Sequence, residues 1–178
     1  ASASLGMLGL AEALCLLTGN FDLSIGSIAG FSAMATGVIM IEFLPGTPAL
    51  AGVIIILMIG GLIGLTNGVS VAYLGVNPFL QTLAFLIIFR GAILGLSTYP
   101  LTRFPNLYFY FGGDDLIEGV PFAVVIMLSM FGIMALMLKY HPFGLSVYAV
   151  GGDAESSQES GINSKQVVLI VYILSGML

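Results

Sequence analysis

Pro48–Ala72 reads PALAGVIIILMIGGLIGLTNGVSVA and contains no charged side chain. A helix needs about 20 predominantly apolar residues to cross some 30 Å of hydrocarbon, and this run is longer than that. Its small residues are also ordered. Gly60, Gly64 and Gly68 recur at every fourth position, a double GxxxG, and so fall on one helical face. In lipid, hydrophobicity does not drive helices together, and faces of this kind let two backbones approach closely instead. The stretch therefore predicts both a spanning helix and the face by which it packs.

Comparable runs lie on either side: about Ala3–Leu17, Leu23–Leu44, Phe79–Ser97, Val120–Leu138, and Val167 onward. With 58% hydrophobic and 7% charged residues and a mean hydropathy of +1.12, the chain lies far outside the range of soluble domains. The expected fold is all-α, a polytopic transmembrane helical bundle of about six spans or partial spans. The runs are too continuous for a transmembrane barrel, whose strands alternate apolar and polar residues. Residues 1–178 read as a single membrane domain that opens and closes inside hydrophobic sequence, which suggests a longer protein. Gly26 with Gly30, Ala29 with Ala33 and Gly37, and Gly91 with Gly95 are further expected packing pairs.

Charge and motif content exclude several functions. Nine acids against four bases give a net charge of −5 without a basic patch, which argues against nucleic-acid binding. The lone Cys15, in an apolar run, reads as core packing. There is no GxxxxGK(S/T) phosphate loop, and His141 is the only histidine. ATP hydrolysis, a catalytic triad and a histidine-based metal site are therefore not expected within this chain.

One polar insert interrupts the oil. From His141 to Lys165 the sequence is HPFGLSVYAVGGDAESSQESGINSK. Gly151 and Gly152 are expected to break the preceding structure, Asp153 to cap a helix, and Glu155 to favour the positive end of its dipole. Ala154–Ser160 then reads as about two turns, closed by Gly161, with Asn163 and Ser164 leading into the next run. So short a helix needs packing to persist. Counting Lys and Arg places the 139–165 loop in the cytoplasm and the 99–119 loop outside. The 99–119 loop, rich in aromatics, reads either as an interfacial belt or as an external docking surface.

A few polar residues fall within or beside the spans. Asp22 caps a helix beginning near Leu23, with Ser24 at the same end, or marks a broken helix facing a transport path. Arg90, deep in its run, calls for a partner such as Glu12 or Asp22, as a structural ion pair or as polar lining. Asn77 and Pro78 form a helix start, with Gln81 and Thr82 one turn in. These two side chains, and Asn67, either bind neighbouring helices or contact a polar solute.

Several strings coincide in order: F21-DLSIGS-S27, GLTNG at 64–68, NPFLQTLAFLIIFRG at 77–91, and HPFGLSVYAVGGDAESSQESGIN at 141–163, followed by a span containing Ser175-Gly176. The set resembles the membrane permease subunits of bacterial ABC importers of the ribose and simple-sugar class, and more distantly branched-chain amino-acid permeases. The resemblance implies an inner-membrane, multi-pass permease that pairs with a second permease subunit, identical or closely related. It also implies cytoplasmic ABC ATPase subunits, which hold the ATP and Mg, and a periplasmic sugar-binding protein. No cofactor is expected on this chain itself. The ATPase-coupling loop would comprise Gly144, Gly151, Gly152, Asp153, Ala154, Glu155, Ser156, Glu159 and Gly161. Residues near the path would be Asp22, Asn67, Asn77, Gln81, Thr82 and Arg90. Three departures stand out: Leu145 where the family commonly has arginine, Ser156-Ser157 where it often has two alanines, and GNF before the DLS string. A rival class is a gradient-driven transporter or channel with Glu12, Asp22 and Glu42 as ion relays. A third is a purely structural assembly subunit.

Overall fold

The computed structural model describes residues 2–96, 101, 115–117 and 120–178. Pro48–Ala72 forms the expected long helix. Helix α3 (Ala49–Ala72) has 24 residues, about 36 Å at 1.5 Å per residue, and ends before Gly75, whose φ of 69° turns the chain. Three other elements precede or adjoin it: α1 (Ser2–Leu17), α2 (Ile25–Val38) and α4 (Pro78–Leu96). Beyond them come α5 (Phe122–Tyr140), α6 (Pro142–Gly152), α7 (Ala154–Glu159) and α8 (Ser164–Met177). Among the described residues, four helices are long and apolar enough to cross a membrane: Ile25–Phe43, α3, α4 and α5.

The fold is organised on the seam between α3 and α8. A side-chain carbon at Gly60 would collide with the Gly176 carbonyl, one at Gly64 with the Tyr172 carbonyl, and one at Gly68 would sit 2.9 Å from Leu169. Partner numbers fall as the glycine numbers rise, so the two helices run antiparallel. Leu50, Ile54, Met58 and Leu62, at every fourth position of α3, are exposed, the pattern of a lipid-facing stripe, and the last three border a groove shared with Ile173 and Met177 of α8.

Around this seam the buried apolar core joins α1 (Leu10, Leu14, Cys15), α5 (Met134), α6 (Val147, Val150) and α8 (Val168, Val171, Tyr172). A second contact zips α2 to α4. Phe31 and Phe89 lie 5.0 Å apart, and Phe85 meets Phe89 edge-on at 5.3 Å, within the range of favourable aromatic pairs. The outer face of α4 presents Leu80, Leu83, Ile87 and Leu94.

Element boundaries depart from the sequence expectations in four places. The second run is not a uniform helix: Ile39–Phe43 forms a π turn, closed by the Leu44 N–H donating to the Ile39 carbonyl at 2.8 Å. Val120–Pro121 pairs antiparallel with Asp115–Ile117 as a short ribbon, so α5 starts at Phe122 rather than Val120. The last helix begins at Ser164, ahead of Val167. Gly151 and Gly152 do not break the structure before the insert but form the last turn of α6. Of the expected packing pairs, Gly26, Gly91 and Gly95 meet nothing within 4 Å. The 99–119 loop lies outside the described residues apart from Leu101 and the Asp115–Ile117 strand.

Close approach at the seam makes a specific prediction. Gly64→Val should destabilise the protein in detergent by about 1–3 kcal/mol or more, the usual cost of overpacking, whereas Gly91→Val should be nearly neutral. Equal unfolding midpoints for the two variants in a denaturant titration would contradict the seam.

Candidate functional site

Helix α1 stops at Leu17 because Thr18 turns its hydroxyl onto the Cys15 carbonyl at 2.8 Å and Gly19 takes a φ of 74°. The chain then re-enters the bundle. Asp22 is 3% exposed, and its Oδ1 accepts the Ser24 N–H at 2.9 Å and the Ser24 hydroxyl as well. Its Oδ2 is buried and takes no hydrogen bond from the described residues. Asp22 does not cap a helix at Leu23: α2 starts at Ile25 with Ser24 as its N-cap and no side-chain cap bond, and the Asp22 carboxylate closes the turn onto Ser24 instead.

From Ser24 a polar chain crosses the helices. Asn67 on α3 donates its amide N–H to Ser24 Oγ at 3.0 Å, and Gln81 on α4 donates to Asn67 Oδ1 at 3.5 Å. On the other side the Asp22 N–H donates to Glu12 Oε2 at 3.3 Å, and the Tyr172 hydroxyl donates to the Phe21 carbonyl at 2.8 Å. Asn67 and Tyr172 are fully buried. An amide left without partners in hydrocarbon is costly, so such residues bind helices to one another. Here α1, α3 and α8 meet the turn that precedes α2, and α4 joins them through Asn67.

The remaining polar residues separate by role. Thr82 is fully buried and donates its hydroxyl to the Pro78 carbonyl of its own helix at 2.8 Å. Asn77 is exposed and caps α4, accepting the Phe79 N–H at 2.9 Å, with Pro78 at the first helical position as expected. The expected ion pair is absent: among the described residues none joins Arg90 to Glu12 or Asp22. Arg90 is exposed on α4, while the two acids engage the backbone of the α1–α2 turn.

At the same end of the bundle lies α7. The Asp153 Oδ1 accepts the Glu155 and Ser156 N–H groups at 2.9 and 3.1 Å, and its Oδ2 accepts the Ser156 hydroxyl at 2.8 Å. These bonds, the Ser156 hydroxyl foremost, hold the exposed Asp153 carboxyl below its ordinary value. The Ser157 hydroxyl donates to the Asp153 carbonyl at 2.7 Å, and Gly161 closes the helix with a φ of 86°. Ala154, Glu155, Ser156 and Glu159 are exposed; Ser157 alone within α7 is buried.

Two glycines seat this segment on the bundle. A side-chain carbon at Gly144 would strike the Leu138 carbonyl, and one at Gly151 the Leu17 carbonyl, whereas Gly152 meets nothing within 4 Å. A cavity of about 400 Å³ lies between α7 and the α1–α2 turn, lined by Thr18, Asn20, Ala72, Glu155, Gln158 and Lys165. Sequence reasoning placed no role on Ser24 beyond its position, on Tyr172, or on His141 as a cap. His141 Nδ1 accepts the Phe143 N–H at 3.1 Å at the start of α6, where the His-Pro pair was a legible signal. Tyr172 could have been noticed as a polar tip within an apolar run.

Residues 1–178, the whole chain, match the family described as branched-chain amino acid transport system / permease component. Among similar proteins are the D-allose transport system permease protein of Escherichia coli K12 and the fructose import permease protein of Rhizobium meliloti. The first is 33% identical over 172 residues (96% of this chain, 52% of the relative), the second 30% over 184 residues (99% and 51%). The ribose import permease protein of E. coli K12 is 34% identical over 172 residues, covering 93% of this chain and 52% of the relative. The chain thus spans about half the length of these relatives. No solved structure matches it. A lipid-exposed helical bundle with a polar chain inside it and a capped polar helix at one end, matched along its whole length, belongs to the branched-chain amino acid transport system / permease component family.

Proposed function

We propose that this chain is part of the membrane-spanning permease subunit of an ABC importer for a simple sugar. Two such subunits, identical or closely related, form the path, and separate cytoplasmic ATPase subunits bearing ATP and Mg drive it. A periplasmic sugar-binding protein delivers the solute at the inner membrane. The observation that carries this reading is α7: a six-residue helix, exposed at all but one position, yet fully capped and held to the bundle by glycine contacts. A helix so short and so exposed is built to be covered by another protein. Relatives named for allose, ribose and fructose favour a sugar over a branched-chain amino acid.

In this reading Gly144, Gly151, Gly152, Asp153, Ala154, Glu155, Ser156, Glu159 and Gly161 form the coupling segment. ATP-driven closure of the ATPases displaces it and shifts the bundle between outward-open and inward-open states. The energy for that shift comes from ATP and from the loaded binding protein, which bind the two states differently. Arg90, exposed on α4, faces the path in this reading, and Asp22, Asn67 and Gln81 set the helix positions beside it. Thr82 and Asn77 serve their own helix.

Two measurements follow. Ser157→Pro removes the bond from the Ser157 N–H to the Asp153 carbonyl (3.1 Å) and clashes in the helix interior, at about 3 kcal/mol or more. In proteoliposomes holding the complete transporter, this variant should insert normally and lose ATP-driven sugar uptake; wild-type uptake would rule out α7 as the coupling helix. The second concerns the cap. A carboxyl lowered on folding contributes stability above its unfolded value, about 3.9, and loses it as pH falls through the lower folded value. The Glu155 and Ser156 amide signals should therefore titrate with a midpoint below that of an ordinary aspartate. The step should vanish in Asp153→Asn.

A further inference from the structure

We infer that the Thr18–Asp22 turn is a transmission element, carried with the coupling segment and resetting the Asp22–Ser24–Asn67–Gln81 chain, with Gly151 and Tyr172 as the positioning residues that fasten it. This rests on the permease reading given above.

The turn is fixed at both ends to the two helices that flank α7. At its start, the last turn of α6 lies backbone against backbone. A carbon added at Gly151 would strike the Leu17 carbonyl and stand 3.4 Å from the Thr18 Cα. No compliant side chain separates them, and packed backbones transmit displacement rather than absorb it. At its end, the Phe21 carbonyl is held at 2.8 Å by the hydroxyl of Tyr172 on α8. Helix α8 is itself tied to α7, since Ser164 Oγ donates to the Ala154 carbonyl at 2.7 Å. A push on α7 therefore reaches the turn from both sides, through α6 and through α8. Directly beneath α7 the cavity of about 400 Å³ separates it from Thr18 and Asn20, so the flanking helices are the route.

Beyond the turn the polar chain leads into α3. Phe21 leads to Asp22, whose carboxyl holds Ser24, which holds Asn67 on α3. The last link, Gln81 to Asn67, is the longest at 3.5 Å and is the first to open when the turn moves. Its opening releases α4, which carries Arg90, from α3.

The test uses the complete transporter in proteoliposomes. Tyr172→Phe removes only the hydroxyl, and Gly151→Ala wedges the turn away from α6. Tyr172→Phe should assemble and hydrolyse ATP, and in both variants sugar moved per ATP should fall about fivefold or more, the lower range of coupling between sites. Spin labels at Asn20 and Gln158 should keep their separation to within about 2 Å between nucleotide-free and ATP-bound wild type, the scale of a helix shift. In Tyr172→Phe that distance should broaden. If Gly151→Ala fails to assemble, Tyr172→Phe and the label distance decide. An unchanged sugar-to-ATP ratio in Tyr172→Phe, or a wild-type distance that changes with nucleotide, would overturn the inference. Failure of the permease reading looks different: the wild type itself would show no ATP-driven uptake.

Discussion

The contact on which this structure depends is the approach of α3 and α8, backbone to backbone, at Gly60, Gly64 and Gly68. In hydrocarbon there is no solvent to drive helices together, so their association rests on close packing and on satisfied polar groups. The seam supplies the first and positions the second. Gly64 lies against the Tyr172 carbonyl, which brings the Tyr172 ring beside the chain re-entering at Phe21. Asn67, on the same face of α3, is thereby turned inward onto Ser24. A side chain at Gly64 would push apart the helices that organise the polar chain.

The class of fold was legible in the sequence because lipid imposes a long, uncharged run and small residues at fixed spacing, both visible in Pro48–Ala72. The helix starts at Asn77 and Asp153 were legible for a local reason, since a cap bonds to its own chain two or three residues on. Long-range pairings were not legible. The bond from Tyr172 to Phe21 spans 151 positions, and nothing in either residue type specifies the other. Arg90 shows the same limit in reverse. Its charge called for a partner, but which face of α4 it occupies is set by the packing of Phe89 against Phe31. The π turn at Ile39–Phe43 had no signature in an apolar run that reads equally well as α-helix.

The structure places a capped polar helix, α7, at one end of the bundle, near the turn that holds Asp22; its coupling role is the one proposed above. The Ser156-Ser157 departure acquires a physical account. Ser156 donates to the Asp153 carboxyl and Ser157 to the Asp153 carbonyl, bonds that two alanines could not make. For Leu145, 72% exposed on α6, nothing in the structure explains the departure.

Those same bonds divide α7 into two sets of residues. Asp153, Ser156 and Ser157 spend their hydrogen-bonding capacity on α7 itself, whereas the exposed Glu155, Gln158 and Glu159 take no part in its capping, Glu155 and Gln158 bordering the cavity toward the α1–α2 turn. These three exposed side chains are thus independent of what keeps the helix folded. Under the permease reading proposed above, the face turned to an ATPase could change at these three acidic or amide positions while the cap and the helix stay as they are.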